Sequence, residues 1–106
     1  MLDALTVARH VVQLLRPLLE KIARRDKDLA RQLRRSGSSV PSNTGEGRMR
    51  NGGDRLHSYR VAHGSAGEVI EQLHIAVAWG YIKDSEAAEA LAELDRVCAM
   101  LWKLTH

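Results

Sequence analysis

The chain has little of what staples or stiffens small proteins. A single cysteine, Cys98, in 106 residues leaves no disulfide within the chain and rules out most zinc sites. Such sparse cysteine use fits a reducing compartment, and a cytoplasmic location is expected. Aromatics number four, two Trp and two Tyr with no Phe. β-Branched residues are also few, whereas Leu, Ala, Arg and Glu are abundant, so the composition favours helix over sheet. No apolar run approaches the roughly 20 residues of a membrane-spanning helix, and Met1-Leu2-Asp3 does not begin a signal peptide. No membrane partner is expected, and the length suits one domain, 1–106.

What the chain does have is charge, unevenly placed. Residues 1–60 carry 13 Lys/Arg against 6 Asp/Glu, a net +7, while residues 61–106 carry 3 against 7, a net −4. Arginine outnumbers lysine 12 to 4. The planar guanidinium fork matches phosphate or carboxylate bidentately, so the bias suits anionic ligands or structured ion pairs. Charge alone leaves two readings open, nucleic-acid binding and neutralisation across the fold or between subunits.

Apolar periodicity predicts four helices, at about 3–23, 27–50, 54–79 and 85–104. In the first, Leu5, Ala8, Val12, Leu15, Leu19 and Ile22 form one row, and Val7, Val11, Leu14 and Leu18 form a second beside it. Two rows are wider than one bundle core requires, so the second is expected to face another subunit. Pro17 is expected to kink this helix. Asp26 is the expected N-cap of the second helix, which propensity alone ends at Val40, before Pro41. Asn51-Gly52-Gly53 marks a break, with Asp54 capping the third helix, Gly80 ending it in a left-handed turn, and Ser85 capping the fourth. Long helices with short connections predict an all-α, antiparallel, up-and-down four-helix bundle.

The stretch from Gln32 to Gly47 is the most distinctive. It lacks the strand and the Gly-Lys-Ser/Thr of a phosphate loop. Read as helix, it places Ser39, Asn43 and Glu46 on one face, where small polar groups either pair between helices or form a site. Gly64-Ser65-Ala66-Gly67 falls inside the third helix, and two mid-helix glycines imply close approach of a neighbouring helix. Glu68 follows as a partner for arginine or Asn43, or, on a sharper reading, as a catalytic carboxylate. His10, His57, His63, His74 and His106 never stand three or four residues apart, so no metal face forms on a helix. Neither metal nor cofactor is expected, Cys98 has no adjacent base, and catalysis finds no support. Arg24, Lys27, Arg31 and Arg35 form a basic stripe with Arg25 and Arg34 at its margins, and Arg48, Arg50, Arg55 and Arg60 flank the glycine turn. Such clustering matches contact with a phosphate backbone. Apart from Tyr59 no aromatic interleaves with it, and Trp79 and Trp102 read as core or interface anchors.

Leu29-x-x-Gln32-Leu33-Arg34-Arg35, Ser39-Val40-Pro41-x-Asn43-x-x-Glu46-Gly47-x-x-Arg50, Tyr59-x-x-x-His63-Gly64-Ser65-x-x-Glu68 and Gly80-Tyr81 follow in order along the chain. This pattern resembles the four-helix bundle protein family encoded in intervening sequences of 23S rRNA genes, with the accessory variability proteins of diversity-generating retroelements as relatives. The resemblance implies a second helix that continues, kinked, through Pro41, and ring-like homopentamers. It also implies nucleic-acid binding, and no enzymatic activity. Gly45, Ser36-Gly37 and Pro17 depart from the family pattern. The resulting expectation is a non-catalytic homo-oligomer that binds RNA or DNA through Arg24, Arg25, Lys27, Arg31, Arg34, Arg35, Arg48, Arg50 and Arg55. Ser39, Asn43, Glu46, Ser65 and Glu68 are expected to form a polar network, and Val7, Val11, Leu14 and Leu18 the subunit interface. The alternative is a structural adaptor that binds another protein.

Overall fold

Residues 2–106 are described by the computed structural model, and Met1, part of the domain expected over 1–106, lies outside them. The chain forms α1 (Ala4–Ala23), α2 (Lys27–Met49), α3 (Gly52–Ala78) and α4 (Asp84–Thr105). Each helix packs on its sequence neighbour, and α1 closes the ring against α4. Cross-helix pairs give the directions. His10 meets Glu93 and Lys21 meets Glu86, so α1 and α4 are antiparallel. Ser39 meets Ser65 and Ser36 meets Glu68, so α2 and α3 are antiparallel as well. This is the all-α four-helix bundle that the periodicity predicts.

Local chemistry sets the helix ends. Asp3 caps α1 by accepting from the Thr6 N–H at 2.9 Å, and Asp26 caps α2 by accepting from the Leu29 N–H at 2.9 Å. Gly80, at φ +78°, ends α3 in a Schellman turn, with its N–H donating to Val77 and that of Tyr81 to Ala76, both at 2.9 Å. Two caps differ from expectation. Asn51, not Asp54, precedes α3, and Asp54 lies in the first turn near the positive end of the helix dipole. Lys83, not Ser85, precedes α4, and its N–H donates to Glu86 at 2.9 Å.

Both prolines sit inside unbroken helices, Pro17 in α1 and Pro41 in α2. The break that propensity places before Pro41 does not occur, because packing on both sides holds the helix together: Val40 and Thr44 are buried. Close approach is arranged by glycines other than those expected. A Cβ on Gly37 would stand 2.8 Å from Leu15 Cδ1, and one on Gly47 would stand 2.5 Å from the Tyr59 ring. Gly64 and Gly67 instead face solvent, and a Cβ on either would meet nothing within 4 Å.

The core also corrects the expected interface. Val7, Val11 and Leu18 are buried within the bundle, alongside Ala8, Leu15 and Ile22. Leu14 is partly buried, and Val12, assigned to the core row from sequence, is 37% exposed. Two adjacent helices flank α1, so its buried arc is broad enough to take most of both rows.

Candidate nucleic-acid interface

The basic residues divide between the two ends of a molecule 42 Å long. At one end Arg24 closes α1, Arg25 and Asp26 form the turn, and Lys27 opens α2. Arg31, Arg34 and Arg35 continue along α2, and all of these cations are exposed. Arg31 is tied to Asp28 at 2.6 Å. Arg24, Lys27, Arg34 and Arg35 have no carboxylate within ion-pair distance among the described residues.

At the other end Arg48, Arg50 and Arg55 are engaged, while Arg60 is exposed with no carboxylate within ion-pair distance among the described residues. Arg48 pairs with Asp3 at 3.1 Å, across α1 and α2, and the Arg50 Nε donates to Glu46 at 2.6 Å. Glu46 also keeps the Arg50 guanidinium above its ordinary range, chiefly through that hydrogen bond. The Arg55 Nε donates to the carbonyls of Gly47 at 3.0 Å and Arg50 at 2.7 Å. Arg55 therefore satisfies orphan carbonyls at the end of α2, a structural duty distinct from the phosphate contact expected of it. The two basic clusters are not brought together.

The motif residues form two short relays across the α2–α3 seam. The Asn43 amide donates to Ser39 Oγ at 2.9 Å, and Ser39 and Ser65 share a hydrogen bond at 2.7 Å. One turn away, the Gln72 amide donates to Ser36 Oγ at 3.4 Å, and Ser36 donates to Glu68 at 3.2 Å. Ser36 and Ser65 are buried, so each hydroxyl needs the partner that it has. A polar groove of about 380 Å³ opens above them, between Arg35 and Glu68. Glu46 joins neither relay. It lies toward the far end of α2, in a separate groove with Arg50, Asp54 and His57. Asn43, Glu46 and Glu68 therefore do not form one cluster.

Cys98 is half-buried, and burial, reinforced by Asp95, pushes its thiol up from the ordinary value, away from a reactive thiolate. Among the described residues no group of three or more His, Cys, Asp and Glu side chains is placed to hold a metal ion, and no helix is long and apolar enough to cross a membrane.

The protein-family model that matches is described as the 23S rRNA-intervening sequence protein, and it covers residues 2–103. The chain belongs to the 23S rRNA-intervening sequence protein family. A crystal structure of a protein of unknown function from the S23 ribosomal protein family of Bacteroides thetaiotaomicron has the same fold. It shares 16% identity, with a TM-score of 0.88 over 96% of this chain and 97% of that one. No curated protein matches the chain.

In this member of the 23S rRNA-intervening sequence protein family, sequence reasoning misses one group. Trp79 is 69% exposed, which removes the core half of its expected core-or-interface role, and it stacks against Tyr81 with centroids 6.5 Å apart and planes within 18°. The Arg25 guanidinium stands 5.7 Å from the Tyr81 centroid. A basic turn and two aromatics more than fifty residues apart in sequence thus meet at one end. The Schellman turn at Gly80 was the available signal, since it places Tyr81 back against the helix end. Trp102 is also exposed, at 53%, and lies against His106 at a centroid distance of 3.3 Å.

Proposed function

We propose that this protein is a non-catalytic, cytoplasmic homo-oligomer that binds RNA or DNA through phosphate contacts from the Arg24–Arg35 face. One observation carries the reading: Arg24, Lys27, Arg34 and Arg35 are exposed on one turn and helix, and among the described residues none of them has a carboxylate within ion-pair distance. Internal ion pairing accounts for Arg31, Arg48 and Arg50 but not for these four. A pentameric ring, as the family resemblance implies, would repeat the face around the symmetry axis and multiply weak contacts. Val61 and Ile75, beside Gly64 and Gly67 on the outer side of α3, supply an apolar surface for such assembly in place of the buried Val7, Val11 and Leu18.

The test is titration of labelled RNA and of duplex DNA at several salt concentrations, with oligomer mass measured by light scattering. Binding should weaken steeply with salt as phosphate counterions are released. Absence of binding at low salt overturns the nucleic-acid reading, and a monomeric mass overturns the assembly.

A second reading, an adaptor that binds another protein, draws on a groove of about 460 Å³ between α1 and α2, where Val12 and Leu19 lie beside Arg16 and Arg34. Binding of a cellular protein that survives neutralisation of Arg24, Lys27, Arg34 and Arg35 would favour it.

A further inference from the structure

The exposed indole of Trp79 is held where it is for a reason that packing does not supply. Tyr81 lies beside it in a near-parallel, offset arrangement, and Tyr81 is fixed from two sides, by its hydroxyl donating to Asp26 at 3.1 Å and by Arg25 over its ring. The Schellman turn through Gly80 sets the spacing of the two aromatic residues. The result is a supported, flat, apolar surface that is left in solvent, and exposing so much of a Trp forfeits its burial energy.

The surroundings indicate what the surface meets. Arg24, Arg25 and Lys27 lie at the same end, with Lys83 just beyond the turn. The neighbouring carboxylates are mostly committed: Asp26 caps α2 and accepts from Tyr81, Asp28 pairs with Arg31, and Glu86 pairs with Lys21. Asp84 sits in the first turn of α4, near the positive end of its dipole. An open aromatic face bordered by free cations is the arrangement that takes a nucleobase together with its adjoining phosphates.

We propose that Trp79 is a stacking platform for an unpaired nucleobase, with Arg24 and Arg25 on the flanking phosphates, so that this end of the bundle selects single-stranded nucleic acid. The proposal rests on the nucleic-acid reading above and adds the form of the ligand. Bases inside a duplex already stack on both faces, so a long duplex offers Trp79 nothing except at its ends.

Trp102→Phe leaves Trp79 as the sole indole and serves as the parent, with folding of every variant checked by circular dichroism. A short unstructured RNA should quench the Trp79 emission and bind about tenfold more tightly than a long duplex at equal salt. In that background Trp79→Ala should abolish the preference while leaving duplex binding unchanged, and Trp79→Phe should keep most of it. Unaltered single-strand affinity in Trp79→Ala, or unquenched emission on binding, overturns the proposal while salt-dependent binding keeps the broader reading intact. Emission shielded from acrylamide in the free protein would mean that a second copy covers the platform, and would also overturn it. Failure of the parent to bind either nucleic acid at low salt removes both.

Discussion

The Tyr81 hydroxyl donates to one oxygen of the Asp26 carboxylate at 3.1 Å, while the other oxygen accepts from the Leu29 N–H at 2.9 Å. A single carboxylate thus starts α2 and also pins the α3–α4 turn to the α1–α2 turn. Asp26→Ala should cost about 1 kcal/mol for the cap and more for the lost cross-turn bond, while Asp26→Asn should keep most of the cap. Tyr81→Phe should lower the melting temperature by less than Asp26→Ala does. Burial and, after it, the hydrogen bond to Asp26 push the Tyr81 phenol above its ordinary value. A raised folded value means that its contribution is complete below the ordinary tyrosine range and is lost as pH rises through the raised value. Urea titrations at neutral and alkaline pH check this: the parent should lose stability on alkalinisation, and Tyr81→Phe should lose less.

Glycine substitutions should divide by site. Gly47→Ala drives a methyl into the Tyr59 ring and should destabilise by about 1–3 kcal/mol, as overpacking does. Gly64→Ala and Gly67→Ala meet open space in the single bundle and remove a mid-helix glycine, so each should add about 1 kcal/mol to helix stability. Denaturation of each variant reads the first effect, and light scattering reads a second. If subunits pack on this side of α3, the same alanines should weaken assembly while the bundle becomes more stable.

The contrast between those glycines shows where sequence reading stops. Helix number, the Asp26 cap and the Gly80 turn are local chemistry, and each is visible in the residues themselves. The direction in which a helix turns its apolar rows depends on where its neighbours lie, so Val7 and Val11 could be recognised as buried but not as buried within the bundle. Gly64 and Gly67 look like a packing seam by spacing, yet the seam falls at Gly37 and Gly47, against Leu15 and Tyr59. In the candidate site, the basic stripe of α2 was legible because it follows helical spacing. The stack of Trp79, Tyr81 and Arg25 was not, because it joins two turns far apart in sequence.

His10 and Glu93 bridge α1 and α4 at 2.8 Å, with Arg96 3.5 Å from the same carboxylate. The hydrogen bond from His10, outweighing desolvation and aided by Arg96, holds Glu93 below the ordinary carboxylate range. For a depressed group the stabilisation is present above the ordinary value and is lost as pH falls through the lowered one. Glu93→Gln should therefore be less stable than the parent at neutral pH, with the gap closing as pH falls through the lowered value. Guanidinium titrations across that range test it, and a gap of constant size would show that the ion pair contributes nothing pH-dependent.

Arg55 and Arg34 differ in what they hold, although both were expected on one phosphate-binding surface. Arg55 donates to the Gly47 and Arg50 carbonyls that end α2, so Arg55→Ala should leave them short of donors and cost about 1 kcal/mol or more. Arg34 has no carboxylate partner among the described residues, and Arg34→Gln should change stability by less than about 0.5 kcal/mol. The order should reverse for nucleic acid. Arg34→Gln and Arg35→Gln should each weaken binding across sequences and reduce the salt slope by about one. Arg55→Ala should leave that slope unchanged once measured at a temperature where the variant is fully folded. Paired melting curves and salt titrations on the three variants separate a cation that closes a helix from one that is free to meet phosphate. Equal salt slopes in all three would remove α2 from the interface.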